Sequence, residues 1–116
     1  MLVRRNEYSA EIRTSMRGGQ GGVEIINLIN PEYSNEKCRL FAKITMKQGT
    51  SIGLHKHLGE VETYYILSGQ ATAGSGNQED IALYPGDGMY TGFGDSHTIR
   101  NDEPDDLVFI ALILLD

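Results

Sequence analysis

The sequence predicts an all-β fold, a sandwich or barrel of short strands. Apolar and polar residues alternate with a period of two, clusters rich in glycine, proline and asparagine interrupt them at regular intervals, and no segment longer than the N-terminal arm holds a helical period. With 116 residues the chain is expected to form one domain over 1–116. Residues 1–22 read as an N-terminal arm and glycine-rich loop, and 23–116 as the barrel.

In the arm, Arg4, Arg5, Arg13 and Arg17 are interleaved with Glu7 and Glu11, a pattern expected of a solvated segment. Gly18-Gly-Gln-Gly-Gly22 reads as a loop, because a phosphate cradle would need a following helix with a lysine. The first strand is expected at Val23–Leu28. From Cys38 to Lys47 the alternation is regular: Cys38, Leu40, Ala42, Ile44 and Met46 share one face, and Arg39, Phe41, Lys43, Thr45 and Lys47 the other. Further strands are expected at 61–67, 70–73, 80–84, 88–91, 97–100 and 107–115. Residues 74–77 (Gly-Ser-Gly-Asn) and 84–87 (Tyr-Pro-Gly-Asp) read as turns, and 101–106 as a polar connection.

The segment Leu107–Leu115 is apolar on both faces, whereas a barrel strand has only one face for the core. A homodimer that buries the second face is expected; cover by the chain's own N-terminal segment is the alternative.

Composition narrows the function classes. Lys+Arg 10 against Asp+Glu 16 gives a net charge of -6, which argues against a nucleic-acid partner. The N-terminus lacks the apolar stretch of a secretory signal, and the run 107–115 is far short of the roughly 20 residues that span a bilayer, so no membrane association and a cytoplasmic location are expected. Cys38 is the single cysteine, which excludes an internal disulfide and fits a reducing compartment.

All three histidines fall in two short segments, Gly49…His55-Lys-His57…Glu62…Gly69 and Gly86…Gly94-Asp-Ser-His97…Asn101. His55 and His57, two apart, would project from one face of a strand, and Glu62 could return beside them after a short turn. A mononuclear metal site is the natural product.

These segments resemble the two sequence motifs of the cupins. The first, glycine, five residues, His-x-His, three or four residues, Glu, six residues, glycine, is matched throughout by Gly49, His55, His57, Glu62 and Gly69. The second is matched by Gly86, Gly94, His97 and Asn101, with Gly92 where a proline is usual. The resemblance implies a double-stranded β-helix, the cupin jelly roll, with His55, His57, Glu62 and His97 as metal ligands inside the barrel. Three imidazoles and a carboxylate leave open positions on manganese or iron, the metals expected here, with nickel or zinc as alternatives. The net positive centre should draw a small anionic ligand. The expected function is a metal-dependent enzyme of dioxygenase or decarboxylase type acting on a small carboxylate or enediol-like molecule. The competing reading is a non-catalytic module that binds or senses a small molecule or sugar.

Other site residues are weaker candidates. Tyr64 shares the face of Glu62, Arg39 or Phe41 could border the mouth, and Phe109 could close the far wall; Arg39 has the fork to hold a carboxylate. Cys38 is expected to pack as a small apolar residue. No dedicated acid or base is legible: Glu60, Asp87 and Asp95 lie near the motifs, but nothing fixes their direction.

Overall fold

The computed structural model describes residues 1–29, 31–34, 37–75, 79–92 and 94–115. Ten strands follow in chain order: β1 (Ala10–Thr14), β2 (Gly22–Asn27), β3 (Cys38–Met46), β4 (Ser51–Lys56), β5 (Glu60–Ser68), β6 (Ala71–Gly74), β7 (Ile81–Leu83), β8 (Gly88–Gly92), β9 (Ser96–Arg100) and β10 (Leu107–Leu115). A short α-helix, Pro31–Ser34, precedes β3, and single 3-10 turns lie at Arg5–Glu7 and Met16–Gly18. The strands form two antiparallel sheets, a six-stranded one in the order β1-β2-β3-β10-β5-β8 and a four-stranded one in the order β4-β9-β6-β7. This is the double-stranded β-helix. The turn expected at 74–77 lies partly outside the described residues.

Two expectations change. The N-terminal segment is more than a solvated arm, since β1 pairs with β2 over Ala10↔Ile26 to Thr14↔Gly22 and forms the edge of the large sheet. All five residues of β1 are exposed, so its weak apolar pattern gives no strand signal. The N-terminal strand therefore lies in the same sheet as β10, separated from it by β2 and β3, and does not cover it.

The inward residues of the large sheet stack in cross-strand rows that grade from dry to polar. Ile44, Phe109 and Ile66 form one row; Ala42, Ala111 and Tyr64 the next; Leu40, Ile113 and Glu62 the one after. All of the first two rows is buried, and Ile52 and Ile99 face them from the small sheet. The outward rows pair Phe41 with Leu112 and Lys43 with Ile110 beside Tyr65. Phe41 therefore lies on the outer face of the sheet and not at the cavity mouth, as the unbroken alternation from Leu40 onward requires. Phe109 sits one row deeper than Tyr64, against which it packs edge-on at a centroid distance of 4.9 Å; it supports the site from behind.

Asn101 ties the ends of the sheets together. It is fully buried, and its side-chain amide donates to the carbonyls of Met46 (2.9 Å) and Asp105 (2.8 Å) while its oxygen accepts from the Glu103 backbone N–H (2.9 Å). Its backbone adds bonds to Gly49 and Thr50. Every polar group of the residue is thus used, which makes it a structural clasp rather than a chemical participant. Asn101→Ala should lower the unfolding free energy by about 2–4 kcal/mol, because truncation strands several buried backbone groups. Asn101→Asp should not rescue it, since the donor amide is still missing. Urea titrations followed by circular dichroism measure both.

Candidate metal centre

A break in alternation places the first histidine. In the β4–β9 ladder Ile52 pairs with Ile99 and His55 with His97, so Gly53 and Leu54 together oppose the single residue Thr98. This is a β-bulge. Strict alternation from the buried Ile52 would turn Leu54 inward and His55 outward; the extra residue reverses them, and Leu54 is 56 % exposed. Thr98 fills the bulge by donating its hydroxyl to the Ile52 carbonyl at 2.8 Å. His57 then follows on the same side, fixed by backbone bonds from its N–H to Asp95 and from Gly94 to its carbonyl. Glu62 reaches the cluster by ordinary alternation on β5, with Tyr64 and Ile66 inward beside it.

The four side chains converge. One ligand atom from each of His55, His57, Glu62 and His97 lies within 4.8 Å of all the others. The His97 Nε2 is 2.9 Å from the Nε2 of both His55 and His57, and Glu62 Oε1 is 3.0 Å from the Nε2 of both His57 and His97. The outer nitrogens show how the protons are arranged. His55 Nδ1 lies 2.7 Å from the Gly53 carbonyl, and His57 Nδ1 lies 2.6 Å from Glu60 Oε1. Both partners can only accept, so both Nδ1 atoms carry the proton and both Nε2 atoms present lone pairs to the centre. His97 Nε2 can hold at most one proton, too few to satisfy two imidazole lone pairs and a carboxylate. Glu62 Oε1 is accordingly buried without a hydrogen bond. A set of acceptors aimed at one point fits a cation, and the donor set of three nitrogens and one oxygen suits a first-row divalent metal.

Burial lowers the His55 pKa, an effect only partly offset by the Gly53 carbonyl and deepened by the other two imidazoles. His55 is therefore held in the neutral form that can ligate. The Tyr64 ring stacks on His97 at 5.0 Å and 11°, with its hydroxyl 3.3 Å from His97 Nε2. Burial, then the charge of Glu62 and a hydrogen bond to it, push the Tyr64 phenol well above its ordinary pKa, so it stays protonated.

Behind His57 lies a pair that the sequence left unassigned. Arg39 clamps Glu60 with two bonds, Nε to Oε2 at 2.7 Å and Nη2 to Oε1 at 2.6 Å. The Arg39 guanidinium, opposed by burial and aided by His57, holds the Glu60 carboxyl below its usual range, so Glu60 is an ionised acceptor for His57. Arg39 gets there through a second bulge: Leu114 pairs with Cys38 and Ile113 with Leu40, leaving Arg39 as the extra residue. Its fork, expected to be open to a ligand, is occupied by Glu60. Cys38 is half-buried and its thiol lies 3.1 Å from the Leu40 carbonyl, away from the cluster.

A cavity of about 550 Å³ opens beside the cluster. His55, His57, Glu62 and Tyr64 supply its polar wall, Leu40, Ile44, Ile52 and Ile113 its apolar wall, and Arg13, Arg17 and Arg39 its cationic border. His97 sits behind this wall at 1 % exposure. The contribution of Arg13 and Arg17 was invisible in the sequence because it depends on β1 docking at the sheet edge and on the following turn packing against β4.

Comparison with known proteins agrees with this geometry. The family model described as the cupin domain matches residues 42–113. The chain belongs to the cupin family. A curated relative, an oxalate-binding protein from Thermotoga maritima, is 44 % identical over 115 residues, covering 99 % of this cupin and 94 % of the relative. A crystal structure of a predicted oxalate decarboxylase from Thermotoga maritima superposes with a TM-score of 0.93 at 43 % identity, covering 100 % of both chains. A polyketide cyclase from Streptomyces resistomycificus reaches a TM-score of 0.81 at 17 % identity over 100 % of this cupin and 80 % of its own chain, a likeness of fold alone.

Glu60→Ala removes the acceptor that fixes the His57 tautomer. It should weaken divalent-metal affinity by about 10–100-fold while leaving the circular dichroism spectrum unchanged. Competition titration against a chromogenic chelator measures the change.

Proposed function

We propose that this cupin binds one divalent metal ion, manganese or iron, through His55, His57, Glu62 and His97, and acts there on a small carboxylate. The observation that carries this reading is the fixed tautomers of His55 and His57, whose lone pairs meet a buried carboxylate oxygen at one point. The Thermotoga maritima sequence is named an oxalate-binding protein and the Thermotoga maritima structure a predicted oxalate decarboxylase, names that support a carboxylate as the ligand. No helix among the described residues is long and apolar enough to cross a membrane.

A bound divalent ion supplies Lewis acidity that polarises a carboxylate oxygen. The chain's own residues do the remainder. The apolar wall excludes water from one side of the ligand, and the arginines at the border favour an anion over a neutral molecule. Glu60 and Arg39 keep His57 in orientation. The Tyr64 hydroxyl on the cavity wall, kept protonated by burial, is a hydrogen-bond donor and a weak acid. The enzyme reading is of decarboxylase or dioxygenase type.

The outer face of the large sheet belongs to the same proposal. Val108, Ile110 and Leu112 are half-buried there, Tyr65 is 51 % and Leu67 44 % exposed, and a second copy of the chain is the natural cover.

Tag-free wild-type protein should carry about one divalent ion per chain by mass-spectrometric metal analysis, and His55→Ala and His97→Ala should each lose most of it. Unchanged metal content in both variants would overturn the metal assignment. Carbon dioxide release and oxygen uptake with a panel of small dicarboxylates and hydroxy acids then separate the two enzyme classes. Sedimentation velocity should show a dimer at micromolar concentration, and a stable monomer would remove that part of the proposal.

A further inference from the structure

Three arginines border the cavity, and two of them are already neutralised. Arg39 is clamped on Glu60, and Arg13 holds Glu11 at 2.9 Å. Among the described residues no acidic side chain pairs with Arg17. Arg17 is thus the uncommitted cation of a cavity whose polar wall is the histidine–carboxylate cluster.

Its backbone is held in an unusual place. Arg17 has φ 53° and ψ 32°, the left-handed region that costs a side-chain-bearing residue about 1 kcal/mol and that glycine or asparagine would occupy more easily. The turn is pinned there from several directions. Ser15 N–H donates to the Gly21 carbonyl (3.1 Å), Ser51 N–H to the Gln20 carbonyl (2.9 Å) and Gln20 N–H to the Ser51 hydroxyl (2.8 Å). The Arg17 carbonyl packs so closely on Gly53 that a Cβ at Gly53 would overlap it. Gly53 is also the residue whose own carbonyl orients His55. The Arg17 turn and the cluster are therefore tied to the same piece of backbone, and both line one cavity.

We propose that Arg17 grips the second carboxylate of the ligand, so that the site selects dicarboxylates over monocarboxylates. One carboxylate meets the histidine–glutamate cluster, and the other accepts two parallel N–H bonds from the guanidinium fork. A cavity of about 550 Å³ has room for both groups, since a water molecule takes up about 30 Å³. This rests on the carboxylate reading of the site given above, and names which residue sets the ligand class.

The test uses Arg17→Asn and Arg17→Gly, both of which remove the cation and suit positive φ, so that neither is expected to disturb the turn. Isothermal titration with oxalate, malonate, succinate and acetate is run on samples whose metal content and unfolding temperature are measured in parallel. At least one diacid should bind the wild type about tenfold or more tightly than acetate. In both variants that preference should fall to about twofold or less, with acetate affinity and metal content unchanged and the unfolding temperature not lowered. Arg17→Lys should restore part of it, because a point charge replaces the fork. A diacid preference that survives in both variants, or a wild type without one, overturns the proposal. A preference that depends on Arg17 in protein without metal would uphold this inference and remove the metal from ligand binding, so the two are separable.

Discussion

Much of this structure follows from a group of acceptors that cannot satisfy one another. Two imidazole lone pairs, a third ring nitrogen and a carboxylate oxygen are pressed to about 3 Å inside a barrel. Left alone, such a cluster would relax apart or recruit protons. It is kept together by an outer layer of fixed partners: the Gly53 carbonyl for His55, the Arg39–Glu60 pair for His57, and the stacked Tyr64 ring for His97. Each of these is in turn supported by packing, Tyr64 by Phe109 and the alanines of its row, Glu60 by the two-pronged Arg39. The strength of the arrangement lies in the second layer.

What was legible in the sequence was whatever obeys a period. The regular alternation of β3, the inward set Glu62, Tyr64 and Ile66, and the uniformly apolar β10 all appear as strands within a residue or two of expectation. The motif spacing brought together the four residues that do converge. What escaped was whatever breaks a period. The Gly53–Leu54 bulge turns His55 inward, and the bulge at Arg39 sends its guanidinium to Glu60; neither leaves a mark on composition, because a bulge is a property of the ladder between two strands. β1 escaped for a different reason: an edge strand exposed on both faces has no hydrophobic pattern to read.

Charge shows the same division between average and place. The chain is acidic, at -6, yet three of its six arginines border one cavity. Two of the three are paired with glutamates, so Arg17 is the cation whose field the low-dielectric walls concentrate. Net charge is a property of the whole chain and says nothing about the pocket. Two of the bordering arginines come from the segment that looked least structured.

The position of β10 has a consequence for how the barrel forms. It lies between β3 and β5 and follows both in sequence, so the large sheet stays split into two unjoined halves until Leu107–Leu115 slides between them. Closure depends on contacts far apart along the chain, a topology that goes with slow folding, on the millisecond-to-second scale. Before closure the row of Leu40, Ile113 and Glu62 is incomplete, and the pocket has no back wall. The strand that joins the two halves of the sheet is thus also the one that completes the cavity wall.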